Sequence, residues 1–271
     1  MKPKAVYLAG YDTEQPTCVD GVRTLVRIHR RLRIPATFFL VGLVVEHNRE
    51  ELKDLLCDDL FEIASHSYSH VQLKIAPLKV VEEEMRRTQG LIQDVLGVRA
   101  LGFRTPGGLT NGYRGDPERL AIFAQMGFEY VSSLGWGPGM TLPAPIVPPF
   151  SYAAEGFPGL LEIPLHGWHE NILTKVHPWQ SPSQPLKPDA PSTVEAWLAP
   201  FLADLRTTLS KSLPFYGPTM HPWSLRRFNA ECRQVEPLLE AARAAGFEFM
   251  RFRDFARAWK IKEGCPPASA P

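Results

Sequence analysis

Four segments of the sequence carry side chains that could catalyse a hydrolysis or bind a metal ion. Asp12 ends a short apolar run, and the pair His66 and His70 follows the run Phe-Glu-Ile-Ala-Ser. Arg104 lies in the segment Phe-Arg-Thr-Pro-Gly-Gly, and His221 lies in Met-His-Pro-Trp. A carboxylate, an imidazole pair and a separate histidine are the groups that general acid–base catalysis and metal-assisted hydrolysis use.

His66 and His70 are candidate metal ligands. Neutral imidazoles bind divalent ions such as zinc, usually together with a carboxylate, and Glu14 could supply that carboxylate. Two histidines at this spacing are equally typical of surface or capping positions. Their place directly after a predicted strand favours the metal site.

Asp12 is a candidate general base. Burying an unpaired charge is costly, so an aspartate at the end of a buried strand needs a partner, and Arg104 could be that partner. The alternative is a structural ion pair, because perturbed pairs of this kind are often structural.

His221 is a candidate general acid, since an imidazole titrating near neutrality can donate a proton to a leaving amine or alkoxide. The alternative is a core histidine that bonds to the backbone. His166, His169 and Glu170 form a further polar group. They could line a substrate pocket or offer other metal ligands.

The elements that must position these side chains alternate regularly between strand and helix patterns. The strand runs are almost continuously apolar, which is typical of a parallel sheet buried on both faces, and the alternation predicts a barrel or a doubly wound sheet. The polar candidates follow strand ends, at the face where such barrels build active sites. The predicted strands are Ala5–Gly10, Ala36–Gly42, Phe61–Ser65, Ala100–Phe103, Tyr130–Leu134, Leu160–Leu165 and Phe215–Met220, with Phe247–Phe252 as a candidate eighth; the predicted helices are Val19–Arg33, Pro77–Gly97, Pro117–Gly127, Val194–Ser212 and Glu231–Gly246.

Composition excludes several classes of protein. The 271 residues carry 30 Lys and Arg against 29 Asp and Glu, so no overall field favours nucleic acid or a charged membrane surface. No apolar stretch approaches the roughly 20 residues of a membrane span. The N-terminal residues are typical of a buried strand rather than a signal peptide. The four scattered cysteines are typical of reduced thiols, so we expect a cytoplasmic protein.

Two proline-rich stretches, 137–158 and 167–191, are predicted to be long irregular connections that shape a pocket. An exposed face on these loops could pair subunits into a homo-oligomer. The tail, 263–271, has the composition of a flexible end. We therefore expect one domain over residues 1–262.

The order of these motifs resembles the polysaccharide deacetylase superfamily, also called the NodB-homology or carbohydrate esterase family 4 fold. The resemblance rests on the Asp, the His-Ser-Tyr-Ser-His segment, Phe-Arg-Thr-Pro-Gly-Gly and the late His, and it extends over nearly the whole chain. It implies a single α/β domain that forms a distorted (β/α)7 TIM-like barrel. It also implies Asp12 as general base positioned by Arg104, His66 and His70 as ligands of a divalent metal, commonly zinc, and His221 as general acid.

Two positions depart from the family pattern. Thr13 stands where the family has its metal-binding aspartate, and Glu14 could replace that ligand, as an acidic residue does in some branches. Gly107 follows Pro106, where sugar deacetylases often have an aromatic residue. The predicted substrate-binding residues are Pro106, Gly107, Trp136, Trp168 and Trp223.

These observations predict a hydrolase that removes an acyl group, expected to be N-acetyl, from a sugar or small amide by metal-activated water. An alternative is a cyclic amide hydrolase that needs no metal, since the His-Pro-Trp segment with Arg226 and Arg227 resembles allantoinase-like members. A third hypothesis is a catalytically inactive barrel that acts as a binding module, which the loss of the second aspartate at Thr13 would explain. The expected partner is a small-molecule or oligosaccharide substrate.

Overall fold

The computed structural model describes residues 4–174 and 190–262. The predicted flexible tail and residues 175–189 of the second proline-rich stretch lie outside this part of the chain. Within it, no helix combines the length and the apolar character that crossing a membrane requires. Cys18, Cys57 and Cys232 are free cysteines, and Cys57 is exposed.

A parallel sheet forms the centre of the molecule. Seven predicted strand positions are occupied, and the first and the seventh are each divided into two short strands. In both places the ladder of strand hydrogen bonds is interrupted for two residues, and the chain then continues in the same direction. The strands are β1 (Val6–Tyr7), β2 (Gly10–Thr13), β3 (Ala36–Leu40), β4 (Phe61–Ser65), β5 (Gly102–Leu109), β6 (Tyr130–Leu134), β7 (Phe150–Tyr152), β8 (Phe157–Glu162), β9 (Phe215–Tyr216), β10 (Thr219–Met220) and β11 (Glu248–Phe249).

The strand order confirms the distorted barrel. The larger sheet runs β10-β2-β3-β4-β5-β6-β8-β7, and β1 lies between β9 and β11. All the described pairings are parallel except that of β7 with β8. The ring closes beyond β8, where His166 forms a parallel bridge with Pro218. The predicted eighth strand is present as β11, at the N-terminal end of the barrel.

Helices follow most of the strands and cover the outside of the barrel. Gly97 adopts the left-handed conformation that ends the longest helix, with φ of 69°. Sequence periodicity predicted five of the helices to within a few residues and missed α2, α3, α6, α8 and the 11-residue α10. The helices are α1 (Val19–Leu32), α2 (Gly42–His47), α3 (Arg49–Leu56), α4 (Leu78–Leu96), α5 (Pro117–Gln125), α6 (His169–Thr174), α7 (Val194–Ser210), α8 (Pro222–Phe228), α9 (Val235–Ala244) and α10 (Phe252–Lys262).

Alternation along the strands separates two apolar clusters. Phe38 belongs to the large cluster between sheet and helices, whereas its neighbour Phe39 belongs to a smaller cluster with Phe252 and Phe255 of α10. Because successive strand residues point to opposite faces, the smaller cluster fills the barrel interior. It forms the apolar floor beneath the polar residues at the carboxyl ends of the strands.

One prediction for the first proline-rich stretch is wrong. Residues 137–158 are not irregular throughout, because β7 pairs antiparallel with β8. The reversal occurs at Gly156, whose φ of 90° suits glycine. The Tyr152 hydroxyl then donates to the buried Glu162 at 2.6 Å, which fixes this strand to the barrel.

Candidate active site

Asp12 and Arg104 form a buried ion pair inside the barrel. They lie within β2 and β5 rather than after the strand ends. Arg104 Nη1 donates to Asp12 Oδ1 at 2.7 Å, and the two side chains are 0% and 3% exposed. Arg104 Nε also donates to Ser132 Oγ at 3.2 Å, and the guanidinium lies 4.0 Å from the Phe39 ring centre. These contacts fix one oxygen of Asp12 and leave Oδ2 facing the neighbouring histidine.

His66 presents one ring nitrogen without a partner. Its Nδ1 donates to the backbone carbonyl of Arg104 at 2.8 Å. A carbonyl can only accept, so the proton is on Nδ1 and Nε2 carries a lone pair. That Nε2 is buried and has no hydrogen-bond partner. Metal-binding histidines commonly have this arrangement, in which the second nitrogen bonds a carbonyl.

The turn that carries His70 is held by a glutamate of the following helix. Ser67 and His70 both have positive φ, 63° and 61°, which is unusual for residues other than glycine. Glu84 of α4 accepts hydrogen bonds from the Tyr68 N–H, the Ser69 N–H and the Ser69 hydroxyl at 2.8, 2.8 and 2.7 Å. The turn is therefore stabilised from outside the strand end.

Glu14, His66 and His70 converge on one point. Glu14 Oε1 lies 3.0 Å from His70 Nε2 and 3.7 Å from His66 Nε2, and the three candidate ligand atoms all lie within 4.8 Å of one another. Ligands of a tetrahedral zinc ion are about 3.3–3.6 Å apart. The separations and the orphaned His66 nitrogen fit a divalent ion. Thr13 is fully buried and its hydroxyl bonds the Tyr11 carbonyl, so it lies outside this cluster.

His221 lies between the two acidic residues of the site. It precedes α8, and its Nε2 is 3.8 Å from Asp12 Oδ2 and 3.4 Å from Glu14 Oε1. On the opposite side of the ring, Nδ1 contacts Glu170 Oε1. Burial alone would lower the pKa of His221, but the carboxylates of Glu14 and Glu170 raise it well above its usual range. The imidazole therefore keeps its proton near neutral pH.

Glu170 lies beside His221, and sequence reasoning gave it no specific role. It lies in α6, is fully buried and contacts the His221 ring. The available signal was an acidic residue one position after His169, following a predicted strand. Its contact with a histidine 51 residues later depends on the fold and has no local signature.

The electrostatics of the three-residue cluster favour an ionised Glu14. Burial by itself would raise its pKa, but the charge of His221 and hydrogen bonds from His221 and His70 hold the pKa well below its usual range. Burial likewise opposes protonation of His70, and the hydrogen bond and charge of Glu14 raise its pKa overall. Glu14 thus offers an anionic oxygen as a candidate ligand atom.

Of the predicted substrate-binding residues, the tryptophans lie near His221. The ring centre of Trp168 is 6.1 Å from that of His221, and the Trp136 and Trp168 rings are 5.6 Å apart. Trp136 Nε1 donates to the Gly107 carbonyl at 2.7 Å, which connects the glycine turn to this aromatic pair. Pro106 is buried beside that turn, and the binding roles of these residues stay predictions.

Trp223 contacts the cluster of candidate metal ligands directly. Its Nε1 donates to Glu14 Oε2 at 2.8 Å, and its ring centre is 5.5 Å from that of His221. This contact was not expected from the sequence, which predicted a pocket wall.

His166 and His169 do not join the site. The His166 Nδ1 accepts the Gly217 N–H at 3.2 Å, and burial lowers its pKa to about 4. His169 bonds Asp204 Oδ2 at 2.7 Å. In the described part of the chain, the group of three candidate metal ligands is Glu14, His66 and His70, and neither His166 nor His169 belongs to it.

The fold and the site define a class of protein: a distorted parallel barrel with a buried carboxylate–arginine pair inside it and a histidine and candidate metal ligands beside that pair. Residues 1–131 match the family model "Polysaccharide deacetylase". This match covers just under half of the chain, and it agrees with the resemblance to polysaccharide deacetylases that the motifs indicated.

Two curated relatives match the chain over short segments. A peptidoglycan deacetylase from Helicobacter pylori is 28% identical over 86 residues, which cover 32% of this chain and 29% of that protein. A chitooligosaccharide deacetylase from Bradyrhizobium is 28% identical over 89 residues, covering 32% and 39%. The chain thus spans well under half of the length of these relatives.

Solved structures of low sequence identity share the whole fold. A Mycobacterium smegmatis protein, whose assignment as a polysaccharide deacetylase is itself inferred, has a TM-score of 0.70 at 18% identity and covers 100% of this chain and 95% of that one. An allantoinase has a TM-score of 0.68 at 14% identity, covering 98% and 92%. A carbohydrate esterase family 4 pseudoenzyme from Bacillus anthracis has a TM-score of 0.58 at 14% identity, covering 94% and 66%.

Proposed function

We propose that the chain is a hydrolase that removes an acyl group, N-acetyl in the simplest case, from an amino sugar or a related small amide. The observation that carries this proposal is the position of His221, whose Nε2 lies 3.8 Å from Asp12 and 3.4 Å from Glu14. A base, an acid and a metal-ligand cluster thereby border one small volume. Metal-assisted hydrolysis of an amide uses these groups at the same carbonyl.

Asp12 is the proposed general base. Arg104 holds its Oδ1, so Oδ2 is the oxygen that can accept a proton from the attacking water. The water oxygen then bonds to the acyl carbon. Because the ion pair is buried in the strands, the orientation of this carboxylate is set before substrate binds.

His221 is the proposed general acid. It donates its Nε2 proton to the leaving nitrogen as the C–N bond breaks, and the acyl group leaves as a carboxylate. Glu170 at Nδ1 orients the ring and favours its protonated form. Glu170 is therefore a positioning residue for the acid.

Glu14, His66 and His70 would hold a divalent metal ion, and zinc suits this set of one carboxylate and two imidazoles. Bound there, the ion would polarise the acyl carbonyl and stabilise negative charge on its oxygen. The His66 contact to the Arg104 carbonyl fixes the ring in the tautomer that can bind. Arg104 therefore orients both residues: its carbonyl bonds His66, and its side chain bonds Asp12.

A cyclic amide hydrolase that needs no metal is the second candidate function. It is favoured by the contacts of Glu14, whose negative charge already has His70 at 3.0 Å, His221 at 3.4 Å and Trp223 at 2.8 Å. The likeness to an allantoinase over 98% of the chain shows that the same fold suits such a protein. An inactive binding module is the third candidate, and the joint presence of Asp12 and His221 argues against it.

Metal content and substrate preference test these candidates together. Protein purified without added metal is analysed for bound ions, and acetate release from N-acetylated chito-oligosaccharides is compared with ring opening of allantoin, before and after chelation. H66A removes a proposed ligand, and H47A removes an exposed histidine outside the cluster as the matched control. We expect about one ion per chain, kept in H47A and lost in H66A, with acetate release that chelation abolishes.

The other outcomes decide between the remaining candidates. Ring opening that chelation does not affect would establish the cyclic amide hydrolase. Binding of sugars without turnover would establish the inactive module. The cytoplasmic location and the homo-oligomer stay predictions of the sequence.

A further inference from the structure

The two oxygens of Glu14 have different surroundings. Oε1 faces three imidazole nitrogens, those of His70, His221 and His66 at 3.0, 3.4 and 3.7 Å. Oε2 accepts one hydrogen bond, from the indole N–H of Trp223 at 2.8 Å. The carboxylate is therefore divided between a side that can bind an ion and a side that is held by a neutral donor.

An indole is well suited to this task. Its N–H donates only, so it carries no lone pair that could bind a metal, and it does not titrate near neutral pH. Trp223 can thus fix Oε2 without competing with Glu14 for the ion or changing with pH. A carboxylate hydrogen-bonded through one oxygen ligates through the other, which leaves coordination positions for water and substrate.

The indole donor matters because residues 13 and 14 depart from the family pattern. Thr13 is buried with its hydroxyl on the Tyr11 carbonyl, so the longer Glu14 is the acidic member of the cluster. A glutamate has one more rotatable bond than an aspartate and loses more side-chain entropy when it is fixed. A hydrogen bond that pre-orders the carboxylate offsets part of this loss.

We propose that Trp223 is a positioning residue that holds Glu14 as a one-oxygen metal ligand. The inference rests on the proposed metal-dependent function and assigns Trp223 a role other than a pocket wall. Trp223 directly follows the first residue of α8, whose preceding residue is His221, so the same turn orients the acid and the metal ligand. The turn thereby keeps His221 Nε2 and Glu14 Oε1 at a fixed separation of 3.4 Å.

Zinc affinity tests the proposal. W223F and W223L both remove the N–H but fill the space of the ring differently, and W259F removes an indole from α10 as the matched control. The zinc dissociation constant is measured by competition with a chromophoric chelator, and the melting temperature is measured on the metal-free proteins. We expect both Trp223 variants to bind zinc about 10- to 100-fold more weakly, with W259F equal to the wild type.

The visible absorption of bound Co²⁺ provides a readout that packing alone would not change. It weakens as the coordination number rises, so it should fall in W223F and W223L if Glu14 then binds through both oxygens. Wild-type affinity and spectrum in both variants would overturn the inference and leave the metal-dependent function standing. The inference would also be overturned if W223F and W223L lost zinc affinity to very different extents and these losses followed the melting temperatures of the metal-free proteins. A wild-type protein that binds no zinc would overturn both.

Discussion

Asp12 and Glu14 are two residues apart, yet they belong to regions of different construction. The base side, Asp12 with Arg104 and Ser132, lies within three strands, and its ion pair is 3% and 0% exposed. The metal side, Glu14 with His66 and His70, lies beyond the strand ends, with Glu14 and His70 side chains 16% and 31% exposed. The first charge has a permanent partner, whereas the second has partners that an ion can replace.

Asp12→Asn should give the largest effect, because it removes the proposed base and leaves Arg104 without its counter-ion. We expect kcat/KM to fall by about 10²–10⁴-fold and the free energy of unfolding to fall by about 3–5 kcal/mol. The full burial of Arg104 is the reason for the second effect. Activity assays and urea unfolding at the same temperature measure both.

Glu14→Gln is the matched control for this stability loss, since it makes the same chemical change on the metal side. It should reduce the free energy of unfolding of the metal-free protein by about 1 kcal/mol, because the contacts are partly exposed. Equal losses in the two variants would contradict the distinction between the two regions.

Lowering the pH should destabilise the base side through His29, which bonds to Tyr11 beside Asp12 in β2. His29 Nε2 accepts the Tyr11 hydroxyl at 2.8 Å and its Nδ1 donates to the Ile34 carbonyl at 2.9 Å, and burial lowers its pKa to about 4. A lowered pKa means that the unfolded chain binds the proton first, so stability is full above about pH 6.5 and is lost as pH falls towards 4. The expected contribution is about 3 kcal/mol.

Unfolding of the metal-free wild type and H29N in urea at pH 7 and pH 4.5 checks this expectation. His29→Asn should flatten the dependence of stability on pH, and a variant of the exposed His47 should not. An unchanged slope in H29N would show that the acid sensitivity arises elsewhere, with the buried His166 as the next candidate.

Glu84→Ala should separate the metal side from the base side. It removes the acceptor for the Tyr68 N–H and the Ser69 N–H and hydroxyl, so the turn that carries His70 loses its external support. We expect zinc affinity to fall about 10-fold, which chelator competition measures. E83A, on the exposed face of the same helix, is the control, and equal affinity in the two variants would contradict the role of Glu84.

Ser132→Ala should have the smallest effect. It removes one hydrogen bond to Arg104 Nε and leaves the bond to Asp12 in place. We expect a loss of about 1 kcal/mol in the free energy of unfolding, with zinc affinity unchanged. A loss of zinc affinity in S132A would show that the two regions are coupled more closely than their separate contacts indicate.

Much of the barrel could be predicted because local pattern determines it. The runs at β4 and β6 were predicted with the boundaries that the structure has, and the charged and apolar periodicity of α4 determined that helix. Since strand carboxyl ends meet at one face, locating the strands was enough to bring Asp12 and His221 together.

What the sequence missed depends on contacts between distant residues. Gly167 and Trp168 have positive φ, 77° and 62°, and this turn directs α6 so that Glu170 reaches His221. The hydrogen bond from Trp223 to Glu14 joins residues 209 positions apart. No local periodicity contains either pairing.

The position of β1 has a consequence for biosynthesis. Val6 and Tyr7 pair on one side with Phe215 and Tyr216 and on the other with Glu248 and Phe249. At a translation rate of about 5–20 residues per second, the ribosome makes the second partner roughly 10–50 s after the first strand. Both edges of β1 are open until β9 is made, and one edge stays open until β11 is made, so β1 is a natural target for a chaperone that binds exposed strands during synthesis.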